Sequence, residues 1–202
     1  MDGNSPSRLI VGLTGATGTI LGVRLLQALQ AAGVESHLVM TKWAIRTLVY
    51  ETDYSAEDVQ RMATCTYRAH DQGAAISSGS FLTRGMVVCP CSMRTLASIA
   101  HGVGDQLVHR AADVILKERR KLVLVVREAP LHDIHLENML KLSRMGVVIL
   151  PPVPAFYNHP RSVDDIVNHI VMRILDQFDI HVELRERWDG ILATKVGVES
   201  EP

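Results

Sequence analysis

The stretch RLIVGLTGATGT, residues 8–19, decides the fold. Its first part is an unbroken apolar run and its second part is glycine, threonine and alanine. A strand with one face in water alternates apolar and polar residues, whereas a strand covered on both faces does not. RLIVGLTG (8–15) therefore reads as a strand buried on both sides, and TGATGT (14–19) as a tight turn at its end. From Thr19 to Ala32, Leu21, Leu25, Leu26 and Leu29 recur at helical spacing, and Gly33 supplies a stop signal.

The same unit repeats along the chain. SHLVM (36–40) reads as a second strand, followed by helices over Lys42–Tyr50 and 55–63. Thr64–Ser80 is small and polar and reads as a long loop. MVVCP (86–90) is a third strand, with helices over MRTLASIA (93–100) and Asp105–Arg119 after it. KLVLVV (121–126) and GVVILP (146–151) are the fourth and fifth strands, separated by a helix over His135–Arg144. Val163–Phe178 is the last long helix. This alternation predicts an α/β fold, a Rossmann-like parallel sheet with helices on both faces. No repeat or long linker interrupts it, so a single domain is expected over 1–202, with 1–7 and about 190–202 as flexible or inter-subunit tails.

The bulk composition narrows the functional classes. At 202 residues and 47% hydrophobic, the chain can bury one sizeable core. A net charge of -1 offers no basic excess to release counterions from nucleic acid, so no nucleic-acid partner is expected. No apolar run approaches the roughly 20 residues of a membrane span, and MDGNSPSR lacks the features of a signal or transit peptide. Three cysteines are too few for a disulfide framework. Together these features place the protein in the cytoplasm, away from membranes.

In a sheet of this kind, ligands sit outside the carboxyl ends of the strands. Five segments lie there: TGATGT, Thr41–Lys42, CSMRT (91–95), Arg127–Glu128 and PPVPAFY (151–157). Gly15 and Gly18 permit a tight turn, and the helix that follows could turn free N–H groups to an anion. The spacing is not GxGxxG, and no acid ends the second strand to take a ribose, which favours a mononucleotide over NAD. An ordinary glycine turn would read the same way.

CPCSMRT (89–95) invites a metal or redox reading. His132, His135 and Glu137 are the other candidate ligands, but they follow a different strand and match no HExxH pattern, so no metal is expected. Cys-Pro-Cys also lacks the CxxC spacing of a redox pair, so Cys89 and Cys91 read as packing residues. Ser92 can cap the next helix. Arg110, Asp113 and Lys117 share one helical face, which reads either as a solvated ion-pair face or as a cationic wall. Arg127 and Glu128 fall at the cleft edge. Glu51 and Tyr157 alone read as a solvated acid and a half-buried aromatic. The rigid apolar PPVPAFYNHP (151–160) either plugs the protein's own core or meets a neighbour, and exposed apolar surface there would favour oligomerisation.

The run RAADVILKERRKLVLVVREAPLHDIHLENMLKLSRMGVVILPPVPAFYNHP (110–160) closely resembles the UbiX/Pad family of flavin prenyltransferases. So do GLTGATGTILGVRLLQAL (12–29), ETDY (51–54) and VVCPCSMRTLASIAHG (87–102), and DQGAAISSGSF (71–81) resembles the branch of hydroxyaryl or phenolic acid decarboxylase small subunits. The resemblance implies a flavodoxin-like fold, usually in a homo-dodecamer with sites at subunit contacts. It also implies transfer of a dimethylallyl group from dimethylallyl phosphate to N5 and C6 of reduced FMN, without a metal. The prenylated FMN would serve a UbiD-type aromatic acid decarboxylase.

Matched by position, the resemblance assigns FMN to Gly15, Ala16, Thr17, Thr41, Ser92, Met93, Arg94, Thr95 and Arg127. Dimethylallyl phosphate falls to Tyr157 and Arg173, with Lys117 and Arg110 adding charge. Cations placed in advance around a leaving phosphate stabilise the charge that grows there. Glu128 could protonate that phosphate, and Thr17 with Glu51 matches a proton relay. Two departures stand out. Thr17 replaces the serine of many members but keeps the hydroxyl. The loop before the third strand lacks the tryptophan that some members place over the isoprenoid, so any cation–π help there must come from another aromatic. Two other readings are a flavin-dependent decarboxylase, whose group expects a catalytic histidine and a PASANT-like segment where this chain has PCSMRT, and a non-catalytic FMN-binding accessory subunit.

Overall fold

The computed structural model describes residues 7–185 and 187. The chain opens with β1 (Arg8–Leu13), α1 (Thr19–Ala31), β2 (Glu35–Met40), α2 (Lys42–Glu51) and α3 (Ala56–Met62). Next come β3 (Cys65–Tyr67), a 3-10 turn at Ala75–Ser77, β4 (Gly85–Cys91), α4 (Met93–Ala100) and α5 (Leu107–Lys117). β5 (Lys121–Val126), α6 (Asp133–Arg144), β6 (Val148–Ile149) and α7 (Val163–Asp176) complete it.

The six strands form one sheet in the order β3-β2-β1-β4-β5-β6. Every pairing is parallel, with Arg8 opposite Glu35 in β1–β2 and Gly85 opposite Lys121 in β4–β5. Without the short β3, the order is that of a flavodoxin-like doubly wound sheet. The chain winds outward from β1 in one direction and from β4 in the other, so the switch point lies between these neighbours.

Alternate residues of the buried strands feed two core layers. Leu9, Val11 and Leu13 pack with Leu25 and Leu29 of α1 and Val171 and Ile174 of α7. Ile10, Met86 and Val88 pack on the other face with Val108, Ala112 and Ile115 of α5. Each fully buried Leu, Ile or Val contributes about 1.5–3 kcal/mol. The apolar stripe of α5, Leu107, Ala111, Val114 and Ile115, is buried throughout. α3 and α7 open with capping boxes, Ser55 with Asp58 and Ser162 with Asp165, which satisfy helix N–H groups and fix where each helix begins.

Two expectations change. The segment 64–80 is not wholly loop, because Cys65–Tyr67 pairs with His37–Val39 as a sixth, edge strand. It carries little apolar pattern because Cys65 and Thr66 are exposed. The strand expected over 146–151 shrinks to Val148–Ile149, the edge beyond β5. The tails expected at 1–7 and about 190–202 lie outside the described residues, apart from Ser7. Among the described residues no helix is long and apolar enough to cross a membrane.

Candidate active site

The carboxyl ends of β1 and β4 are tied together by one buried hydroxyl. Thr14, only 1% exposed, donates from N and from Oγ1 to the Pro90 carbonyl at 3.2 and 2.8 Å. The same Oγ1 accepts from Ser92 N at 2.8 Å. Thr41 N reaches the Leu13 carbonyl at 3.0 Å, and Arg127 N reaches the Cys91 carbonyl at 3.1 Å. These bonds link the ends of β2, β1, β4 and β5 at the edge where the fold leaves a crevice. The sequence reading did not single out Thr14. The available signal was a hydroxyl ending an otherwise apolar strand.

α1 begins in the crevice at Gly18, whose φ of 94° is left-handed and whose lack of a side chain leaves the helix without its own cap. Glu51, at the far end of α2, supplies the cap. Its Oε2 accepts from Gly18 N at 2.9 Å, Thr19 N at 3.0 Å and Thr19 Oγ1 at 2.9 Å. Partial burial raises the Glu51 pKa, but hydrogen bonds from the Thr17 side chain, Thr19 and Gly18 outweigh it and hold the carboxyl below its usual range. This corrects the expectation that the first N–H groups of α1 meet a bound anion, since those of Gly18 and Thr19 already meet Glu51. It also places Thr17 beside Glu51.

Gly15 serves a different purpose. A Cβ there would lie 2.4 Å from Cβ of Trp43, so only glycine lets α2 approach the turn. Thr41 caps α2 by accepting from Ala44 N at 3.2 Å.

α4 begins on the other side of the switch point. Ser92 Oγ accepts from Thr95 N at 3.3 Å and donates to Thr95 Oγ1 at 3.2 Å. The N–H groups of Met93 and Arg94 have no partner among the described residues. They form the open helix start that can receive an anion. Arg94 lies 3.8 Å from Asp105, and the exposed Arg127 guanidinium has no carboxylate partner among the described residues. Exposed Glu128 folds back to accept from Ala129 N at 3.1 Å.

The thiols are not part of this crevice. Cys89 and Cys91 are both 0% exposed, and they belong to opposite core layers, so they do not face one another as a pair. Burial pushes both thiols far above the ordinary thiol range and keeps them protonated. His132 and His135 stack with ring centroids 3.5 Å apart. Among the described residues no three His, Cys, Asp or Glu side chains gather as a metal site.

Two of the other assigned residues, Lys117 and Arg173, do not reach this edge within one chain. α5 runs antiparallel to the strands, so Lys117, in its last turn beside Glu118, lies near the start of β5. Arg173 occupies the last turn of α7, beside Asp176 at 3.1 Å. The end of that helix also packs near strand starts, because the Phe178 carbonyl accepts from Arg84 at 3.2 Å. Tyr157 stands edge-on to His169 of α7, with ring centroids 6.0 Å apart. Arg110 pairs with Asp113 at 2.7 Å on the outer face of α5. The residues assigned to FMN and the Thr17–Glu51 pair thus share the carboxyl edge. Lys117 and Arg173 lie toward the opposite edge.

The flavoprotein family model matches residues 2–175. Flavin prenyltransferase LpdB of Lactiplantibacillus plantarum is 59% identical over 184 residues, which cover 91% of this chain and 98% of the relative. The solved structure of AnUbiX in complex with FMN and dimethylallyl pyrophosphate superposes with a TM-score of 0.90 at 52% identity, covering 91% of this chain and 98% of that one. A dodecameric FMN-dependent UbiX-like decarboxylase of Escherichia coli O157:H7 superposes with a TM-score of 0.89 at 62% identity, covering 91% of this chain and 100% of the other.

Proposed function

The chain belongs to the flavoprotein family and, within it, to the UbiX-like flavin prenyltransferases, and we propose that it joins a dimethylallyl group from dimethylallyl phosphate to N5 and C6 of reduced FMN. The observation that carries this reading is the pairing at the switch point of Glu51, which accepts from Gly18 N, Thr19 N and Thr19 Oγ1 beside Thr17, with an open helix start at Met93 and Arg94.

The residues present fit a flavin. Gly15 is exposed and has no side chain to obstruct a ligand, and Ala16 and Thr17 add only small groups. Gly15–Thr17, Thr41, Ser92–Thr95 and Arg127 would hold FMN between the ends of β1, β2, β4 and β5. When bound in its reduced form, the flavin supplies the nucleophilic nitrogen and the ring carbon. The chain's own part is to orient it, exclude water and move protons. Glu51, held below the usual carboxylate range, is ionised at neutral pH and suited to accept a proton. The Thr17 hydroxyl, beside that carboxylate, relays the proton to it. Glu128 at the cleft edge gives a proton to the leaving phosphate.

Tyr157, Arg173, Lys117 and Arg110 bind the phosphate of the allyl donor. We infer that neighbouring copies bring some of them to the flavin edge, since Lys117 and Arg173 lie toward the opposite edge of their own sheet. The dodecameric E. coli relative supports an assembly of this kind, and a homo-dodecamer is the reading we adopt. The product serves a UbiD-type aromatic acid decarboxylase. Three free cysteines, one of them exposed, suit a reducing cytoplasm.

That E. coli relative's name favours a second reading, in which the chain itself decarboxylates. One experiment separates the two. The protein is incubated anaerobically with reduced FMN and dimethylallyl phosphate, and the filtrate is added to an apo UbiD-type decarboxylase. Decarboxylation by the recipient supports prenyl transfer. Decarboxylation of an aromatic acid by this protein alone, with an inert filtrate, contradicts it.

A further inference from the structure

We propose that Trp43 is a flavin-contacting residue, its indole forming a wall against which the flavin ring rests. This builds on the flavin reading above. α2 lies along the turn after β1 and holds it at two points. Trp43, near the start of α2, fills the space beside Gly15, with its Cβ 2.4 Å from where a Gly15 Cβ would stand. Glu51, the last residue of α2, binds Gly18 and Thr19. The two holds are eight residues apart, about 12 Å along a helix. The segment between them is the one assigned to FMN.

The indole is placed to do more than pack. Trp43 remains 59% exposed although it lies between two flavin-contact positions, Gly15 in space and Thr41 in sequence. Large exposed apolar groups beside a crevice mark a surface to be covered. Arg46, one turn along α2, stands over the ring at 4.9 Å from its centroid and braces it from one side. Arg46 has no carboxylate partner among the described residues, so the brace is not pulled away by an acid. A flat aromatic ligand set on such a wall gains offset-stacking contact as well as buried area.

The test titrates the full chain with oxidised FMN and with riboflavin by calorimetry, in wild type, Trp43→Phe, Trp43→Leu and Trp43→Ala. Trp43→Ala weakens both ligands about tenfold, the scale of one lost aromatic contact. Trp43→Phe stays within about threefold of wild type. Trp43→Leu keeps the Cβ contact with Gly15 and the fold but loses the aromatic face, so it tracks Trp43→Ala. Wild-type affinity in Trp43→Leu overturns the proposal even if Trp43→Ala does not fold. A loss confined to FMN and absent with riboflavin also overturns it, because it assigns the effect to the phosphate. Failure of wild type to bind either ligand would instead sink the flavin reading itself.

Discussion

Two helices start at the switch point, and they are finished differently. α1 begins with a glycine that offers no cap, and Glu51 closes its end from 32 residues away. α4 begins with Ser92, which caps Thr95 and leaves the Met93 and Arg94 N–H groups without partners among the described residues. A helix start carries partial positive charge and attracts anions. At α1 the protein has spent that attraction on its own carboxylate, which becomes a fixed anion suited to proton transfer. At α4 it is left for a ligand. In the proposed reaction the two ends divide the work of one site, and Thr14 ties the strands that carry them.

The largest expected effect breaks the α1 side. Glu51→Gln keeps the shape of the cap but removes the proton acceptor, so turnover should fall by about 10²–10⁴-fold while FMN binding changes little. Single-turnover kinetics and an FMN titration check this, and near-wild-type turnover would remove the distinction between the two ends. Gly15→Ala sets a methyl against Trp43 Cβ and should cost roughly 1–3 kcal/mol in unfolding free energy, with weaker FMN binding. Thr14→Val removes the shared hydroxyl while keeping its volume, and leaves Ser92 N without its partner. A loss of about 1–3 kcal/mol is expected in denaturant melts.

Ser92→Ala acts on α4 alone. Losing the cap should cost about 1 kcal/mol and weaken FMN binding while the pH dependence of stability keeps its shape.

The smallest effect is that pH dependence itself. The folded pKa of Glu51 lies below its ordinary value of 4.5, so its contribution is fully present above 4.5 and is lost as pH falls through the folded value. Glu51→Gln should therefore flatten part of the decline below about pH 4.5 in acid-unfolding curves. An unaltered acid limb would show that Glu51 is not held as an anion.

The contrast also marks what could be read from the sequence. β1, β4 and β5 were legible because strands covered on both faces read as near-continuous apolar runs, β2 was legible from its Leu38–Met40 half alone, and their ends named the crevice. β3 was not, because Cys65 and Thr66 are exposed and only pairing with β2 makes them a strand. Ser92 as a cap was legible because capping is local. Glu51 on Gly18 and Trp43 on Gly15 were not, because residues distant in sequence close those ends. The cationic face of α5 could be read as a pattern, but the placement of Lys117 toward the far edge depends on which way α5 runs.

The most direct test of the account is the mass of the flavin after anaerobic incubation of the purified chain with reduced FMN and dimethylallyl phosphate. The account predicts a flavin heavier by one five-carbon prenyl unit. An unchanged flavin mass with both dimethylallyl phosphate and dimethylallyl pyrophosphate, from a protein shown to bind FMN, would contradict it.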